Sequence, residues 1–202
     1  MMNAAEMYAL FRQCIEDYHV KDQIDQPEQN PHEASSLAGL LYAKNWIDTV
    51  QWHLEDEIRA PFIDPTQALV LKRRIDKSNQ NRTDLVERID EKILETYQAV
   101  EAKPGARLNT ESPGWAVDRL SILALKIYHM EIEAQRKDTE AALAQKNQNK
   151  LAILEIQRDD LILALDQLLQ DLAKGERLAK VYRQMKMYND PELNPVLYQK
   201  PS

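Results

Sequence analysis

The stretch that decides the fold spans residues 64–90 and reads DPTQALVLKRRIDKSNQNRTDLVERID. Asp64 can cap a helix, Pro65 suits the first helical position, and Gln67 stands three residues after the cap, a pattern typical of a helix start. Neither proline nor glycine follows until Pro104. The stretch therefore predicts one long helix, of roughly 60 Å at 1.5 Å per residue.

The rest of the chain has equally few helix breakers. Its 202 residues include only 4 glycines, where average usage of about 7% would give about 14. Between the breaks, apolar residues recur at helical spacing over five further stretches, at about 3–21, 33–60, 115–136, 139–174 and 176–187. We expect an all-α fold, an up-and-down bundle of four to five long antiparallel helices with a short N-terminal helix. This single domain would cover residues 1–188, and residues 189–202 would form a C-terminal arm.

Charge and hydropathy narrow the classes of function. The net charge is −7 with no basic block, which argues against nucleic-acid binding. Apolar runs such as residues 161–165 are far shorter than the roughly 20 residues that cross a bilayer, so no transmembrane segment is expected. The N-terminus lacks the pattern of an export signal. Together with the single Cys14, these features predict a cytoplasmic protein.

Two arginines fall on positions that should face the bundle core. Arg82 lies mid-way along the apolar seam of the helix that begins at Pro65, and Arg158 interrupts a seam of leucines. An unpaired buried charge costs several kcal/mol, so each arginine should meet a carboxylate or line a cavity. Two interpretations stay open, a structural ion-pair layer that sets the register of the bundle and a pocket for an anionic ligand. Guanidinium groups fit phosphate or carboxylate groups, so the pocket would take a phosphorylated or acidic small molecule.

The pocket hypothesis assigns a role to each polar residue near these seams. Arg82 and Arg158 would hold the anionic group, and Asn45 and Asn79 would orient it. The other ligand-binding candidates share a stripe of the second predicted helix and are Asp48, Trp52 and Arg59. Acid–base chemistry or metal ligation would come from neighbouring residues on that helix, namely His53, Glu55 and Asp56.

Several histidines raise the question of a metal. His53 and Glu57 are four residues apart on one helix face, although such a pair is more often a plain surface contact. His19 follows Glu16 with the Glu-x-x-His spacing of helical di-metal proteins, which need a second copy that this chain lacks. His129 is typical of a hydrogen-bonded core histidine. A divalent metal therefore stays a candidate cofactor without assigned ligands.

Four stretches resemble a bacterial family known as domain of unknown function 4254, namely residues 45–59, 75–90, 109–129 and 185–195. The resemblance implies a helical cytoplasmic protein, encoded in some genomes beside glycosyltransferases that build surface polysaccharide or lipopolysaccharide. It implies no catalytic assignment. It does coincide with the predicted polar layer, which favours the pocket interpretation. With glycosyltransferases as neighbours, the resemblance implies a phosphorylated or nucleotide-linked sugar as the ligand.

A second class of function competes with the pocket. The chain could be a non-catalytic scaffold that binds a glycosyltransferase or associates with itself through its long helices. The tail at residues 188–198 contains apolar residues without a helical period, so it should either pack on its own bundle or dock on a partner. The sequence leaves open whether the protein is an enzyme.

Overall fold

The computed structural model describes residues 2–187 and 190–198 and confirms the all-α bundle. Its helices are α1 (Ala4–His19), α2 (Leu37–Glu57), α3 (Pro65–Glu95), α4 (Pro113–Ala134), α5 (Ala141–Ala173) and the short α6 (Pro195–Tyr198). The helix α4 packs on α5, α1 and α3, while α2 packs on α1 and α3. Large side chains from α1, α2 and α4 fill the centre, among them Phe11, Tyr18, Leu41 and Leu120, all fully buried.

The predicted start of α3 is confirmed, but its predicted length is not. Asp64 accepts hydrogen bonds from the backbone N–H groups of Thr66 and Gln67. The helix ends at Glu95, although neither proline nor glycine stops it there. Further along, Lys103 donates its backbone N–H to the carbonyl of Gly175 at 2.8 Å. The chain between α3 and α4 is thus held by residues distant in sequence, which local propensity does not reveal.

A two-stranded parallel pair replaces the beginning of the last predicted helix. The strands β1 (Arg107–Leu108) and β2 (Arg177–Leu178) join the loop before α4 to the end of α5. The helix predicted at 176–187 is wrong, because after β2 the chain runs irregularly along α3. There, Arg183 forms salt bridges with Glu87 and Glu91. These contacts favour an open backbone over a short helix.

The joint between α3 and α4 depends on one buried carboxylate. Asp90 is 1% exposed, and it accepts a hydrogen bond from the backbone N–H of Gly114 at 2.6 Å and another from the Ser112 hydroxyl. The N-cap residue Ser112 makes no side-chain cap of its own. Asp90, which lies on the neighbouring helix α3, therefore accepts a hydrogen bond from an N–H at the start of α4 that has no partner within its own helix.

The predicted C-terminal arm is described only in part. Residues 188–189 and 199–202, and with them the predicted domain boundary at 188, lie outside the described residues. Within 190–198, Leu193, Val196, Leu197 and Tyr198 are all about half exposed or more. In the described part of the chain, no helix is long and apolar enough to span a membrane.

Candidate functional site

A buried polar layer lies where α2, α3 and α4 meet. Lys44 and Asp48 come from α2, Arg82 from α3, and Asp118 from α4. The ammonium of Lys44 lies 2.5 Å from Asp48 Oδ2 and 2.7 Å from Asp118 Oδ1. Arg82 reaches the same two carboxylates, with Nε 3.1 Å from Asp48 Oδ1 and Nη2 2.6 Å from Asp118 Oδ2. Ser121 donates its hydroxyl hydrogen to Asp48 Oδ2 at 2.6 Å. Each carboxylate is thus shared by both cations.

The layer neutralises itself, with two cations against two carboxylates. The side chains of Lys44 and Asp48 are both fully buried, and burial raises the pKa of Asp48 against the opposing attraction of Lys44. The 3.1 Å contact between Arg82 Nε and Asp48 Oδ1 is an ion pair without hydrogen-bond alignment. The expectation that Arg82 meets a carboxylate is confirmed, and Asp48 is one of its two partners.

Three of the remaining predicted residues do not join this layer. Asn45 is fully buried and donates to Ser121 at 2.9 Å, so it supports the layer from behind. Asn79 accepts a hydrogen bond from Gln51 at 2.9 Å. Arg158 lies outside this layer, because it pairs with its neighbour Asp159 and lies over the ring of Tyr8 on α1, 5.7 Å from the ring centroid.

Two adjoining cavities open beside the layer and share Arg82. The larger has a volume of about 720 Å³ and is lined by Arg82, Arg119, Lys126 and Asp160, among others. The smaller has a volume of about 440 Å³, and its lining includes six residues predicted from the sequence, Asp48, Trp52, Glu55, Asp56, Arg59 and Arg82. We refer to the two together as the Arg82 groove. The structure therefore brings most of the predicted site residues to one surface.

His53 faces away from the groove, toward two other histidines. The rings of His19, His53 and His129 have centroids 5.3–5.9 Å apart, and we call this set the histidine cluster. Within residues 2–187 and 190–198, these three residues form the one group of at least three that is spaced to hold a metal ion. Sequence patterns did not predict the cluster, because residues 19, 53 and 129 are too far apart along the chain to form a motif.

Protonation is disfavoured for two members of the cluster, His53 and His129. Burial lowers the pKa of His53, and His19 lowers it further, against the attraction of Asp22. Burial, followed by the charges of His19 and His53, lowers the pKa of His129 from its ordinary value of 6.5 to about 4, although Asp22 opposes the shift. The expectation of a hydrogen-bonded core histidine is not met for His129, because its buried Nε2 has no hydrogen-bond partner within the described part of the chain.

The lowered pKa of His129 predicts an acid-sensitive fold. A histidine that titrates at a lower pH in the folded than in the unfolded state costs stability as the pH falls through that interval. Between about pH 6.5 and 4, the free energy of unfolding should drop by about 1–2 kcal/mol, less than the full shift implies because the ring is partly exposed.

Denaturant titrations of metal-free protein across this pH range would measure the drop. In a His129→Gln variant, part of the pH dependence should disappear, with the remainder coming from His53 and the acidic groups. An identical pH dependence in both proteins would contradict the prediction.

Comparison with known proteins adds a family but no activity. A family model described as "Protein of unknown function (DUF4254)" matches residues 38–181. The matched region contains α2 to α5, the buried layer, the Arg82 groove and two of the three clustered histidines. No curated protein and no solved structure matches the chain.

Proposed function

We propose that this chain, which belongs to the DUF4254 family, binds an anionic small molecule in the Arg82 groove. The proposed ligand is a phosphorylated or nucleotide-linked sugar used in the assembly of a surface glycan. The anionic part is supported by the groove, and the sugar part by the family resemblance. The proposed setting is a bacterial cytoplasm, which agrees with a single, buried Cys14.

The observation that carries the proposal is an arginine held in place before any ligand arrives. Arg82 has 24% of its side chain exposed, and it borders both cavities. Its salt bridges to Asp48 and Asp118 use Nε and Nη2. A guanidinium fixed in this way loses little conformational freedom when it binds an anion.

Two further cations line the larger cavity. Arg119 and Lys126 lie beside Arg82 at exposed positions on α4, and Arg119 also forms a salt bridge with Glu111 at 3.1 Å. The lining also contains two carboxylates, namely Asp118, which pairs with Lys44 and Arg82 in the buried layer, and Asp160. A volume of about 720 Å³ falls within the roughly 300–1,000 Å³ typical of small-molecule sites.

The smaller cavity supplies the groups that could act on a bound ligand. Glu55 and Asp56 line it next to Trp52, whose ring offers an apolar surface to a sugar. In the proposed role these carboxylates carry the acid–base chemistry, if the protein is an enzyme. Because His53 belongs to the histidine cluster, the proposal no longer includes it in this chemistry. Arg158 is also left out of the anion-binding set.

Removal of one groove cation tests the proposal. Hexose 1-phosphates and nucleoside-diphosphate hexoses should bind in calorimetric titrations, while the uncharged hexoses should not. Replacement of Lys126 with alanine should weaken binding about tenfold, which corresponds to about 1.4 kcal/mol. Lys92→Ala is the matched control, since Lys92 pairs with Glu95 on α3 at 3.2 Å and lines neither cavity. Absence of binding by every phosphorylated probe, or equal weakening by the control, would reject the groove as an anion site.

One observation favours the second candidate, a scaffold that self-associates. The outer face of α5 exposes Ile153, Ile156 and Leu163, each more than half exposed, at the spacings of three and seven residues that build helix–helix seams. A second copy of the chain could cover this stripe. Sedimentation that finds a dimer in the native protein and a monomer in an Ile156→Glu variant would support the scaffold.

A further inference from the structure

The histidine cluster is built by three different helices. His19 ends α1, His53 lies in the last turns of α2, and His129 lies near the end of α4. Each residue offers one ring nitrogen, and these three nitrogens all lie within 4.8 Å of one another. The tertiary fold therefore brings together three histidines that are distant in sequence.

One nitrogen of each ring in the cluster, Nε2, lacks a hydrogen-bond partner among the described residues. These Nε2 atoms, of His19, His53 and His129, are all buried. The Nδ1 atom of His19 lies 2.6 Å from the carbonyl oxygen of Ile15. Since a carbonyl only accepts, Nδ1 must carry the proton, which leaves a lone pair on Nε2. Histidine metal ligands are commonly held in this way by a backbone carbonyl.

A carboxylate stands at the edge of the cluster. Asp22 Oδ1 lies 3.5 Å from His53 Nε2 and 4.0 Å from His19 Nε2. The backbone of Asp22 is in the left-handed region, with φ of 52°, and its N–H donates to the carbonyl of Tyr18 at 3.1 Å. This turn after α1 directs the carboxylate back toward the histidines.

Aromatic rings hold the imidazoles in position. Trp52 stacks on His129 with centroids 4.5 Å apart and planes 6° apart. Tyr18 stacks on His53 at 5.2 Å and 12°, and Tyr128 lies 4.5 Å from His19. Such packing restricts ring rotation and keeps bulk water away, both of which favour metal ligation.

We propose that His19, His53 and His129, with Asp22 as fourth ligand, bind a zinc ion. Three imidazole nitrogens and one carboxylate oxygen are a ligand set that suits tetrahedral Zn²⁺. At Zn–N distances of about 2.0–2.1 Å, tetrahedral ligand nitrogens stand about 3.3 Å apart, so the ring nitrogens, which lie within 4.8 Å of one another, close by up to about 1.5 Å. The ion satisfies three buried acceptors at once. Asp22 is 56% exposed, so the ion enters from its side.

Zinc titration of untagged, chelator-treated protein tests the site. We expect one Zn²⁺ per chain in calorimetry, a higher melting temperature with zinc, and intense visible absorption when Co²⁺ is used instead. Individual replacement of His19, His53 and His129 with glutamine should weaken zinc binding at least 100-fold. His32→Gln is the matched control, because His32 also has a buried Nε2 without a hydrogen-bond partner in residues 2–187 and 190–198 but lies outside the cluster, beside Tyr42. It should bind zinc within twofold of the wild type.

A second kind of variant keeps the test valid if the histidine variants do not fold. Asp22→Asn changes a half-exposed side chain, so this protein should fold normally and bind zinc about tenfold more weakly. Circular dichroism of every variant without metal would identify those that do not fold. Absence of stoichiometric zinc binding by the wild type, or affinity that survives in all three glutamine variants, would overturn the proposal. The zinc site does not depend on ligand binding in the Arg82 groove. Hexose phosphate titrations with and without zinc would therefore distinguish a failure of the zinc proposal from a failure of the groove proposal.

Discussion

Replacement of Asp48 with asparagine is expected to lower the free energy of unfolding by about 3–5 kcal/mol. The substitution keeps the volume of the side chain but leaves Lys44 and Arg82 with a single counter-charge, Asp118. The ammonium of Lys44 is fully buried, so water cannot take the place of the missing carboxylate. The amide nitrogen of asparagine would also direct donors at a site where Lys44 and Ser121 already donate.

Chemical denaturation would measure this effect through the midpoint at constant slope. Asp76→Asn is the matched control, since Asp76 pairs with Lys72 on the exposed surface of α3, where a salt bridge contributes less than about 1 kcal/mol. If Asp48→Asn remained within about 1 kcal/mol of the wild type, the layer would not be a closed ion-pair network.

A double variant separates the charge from the packing. Lys44→Met with Asp48→Leu removes one cation and one anion together and keeps the Arg82–Asp118 pair, whose nitrogen and oxygen are 2.6 Å apart. Because apolar replacement of a whole buried pair is often neutral or stabilising, the double variant should be more stable than Asp48→Asn alone. The difference in the free energy of unfolding between these two proteins measures how much of the loss in Asp48→Asn comes from buried charges left without a partner.

Helical periodicity in the sequence was sufficient to predict two of the four residues of the buried layer. Arg82 stands among apolar residues at seven-residue spacing, and Asp48 lies on the polar stripe that faces it, so the pair could be predicted. Lys44 and Asp118 were missed as members. Lys44 precedes Asp48 by one helical turn within a strongly apolar stretch, and this signal could have found it. Asp118 required knowledge of how α4 is rotated against α2, which depends on tertiary packing.

Other features were invisible for the same physical reason. The histidine cluster joins residues 19, 53 and 129, and no local spacing records that the three helices end side by side. The chain between Glu95 and Pro104 has no helix breaker, and its path depends on hydrogen bonds to residues after α5. The segment after β2 has helical propensity, yet its basic side chains bind acceptors on α3, as with Lys186 and Thr83 at 2.6 Å. Local patterns predicted the helices, whereas long-range partners determined the connections and the site.

Replacement of Gly114 with alanine is expected to destabilise the fold by about 2–4 kcal/mol, from overpacking together with loss of a helix cap. A Cβ atom at this position would stand 2.7 Å from Asp90 Cγ and 2.8 Å from the carbonyl oxygen of Val86. The carbonyl belongs to the backbone of α3, so it cannot rotate away. Asp90 would have to move as well and would lose its hydrogen bond to the N–H of residue 114.

The sign of this effect is informative, because alanine is ordinarily the better helix former by about 1 kcal/mol. Gly114 lies at the second position of α4, so without the clash the substitution would be neutral or favourable. Gly105→Ala is the control, since Gly105 has a left-handed φ of 86° but no atom within 4 Å of a Cβ, and it should lose only about 1 kcal/mol through backbone strain. Thermal and denaturant unfolding of both variants would rank them. A Gly114→Ala protein as stable as the wild type would mean that α4 can shift on α3. In that case the contact with Asp90 would not fix the position of α4, and hence would not fix Asp118 in the buried layer or His129 in the histidine cluster.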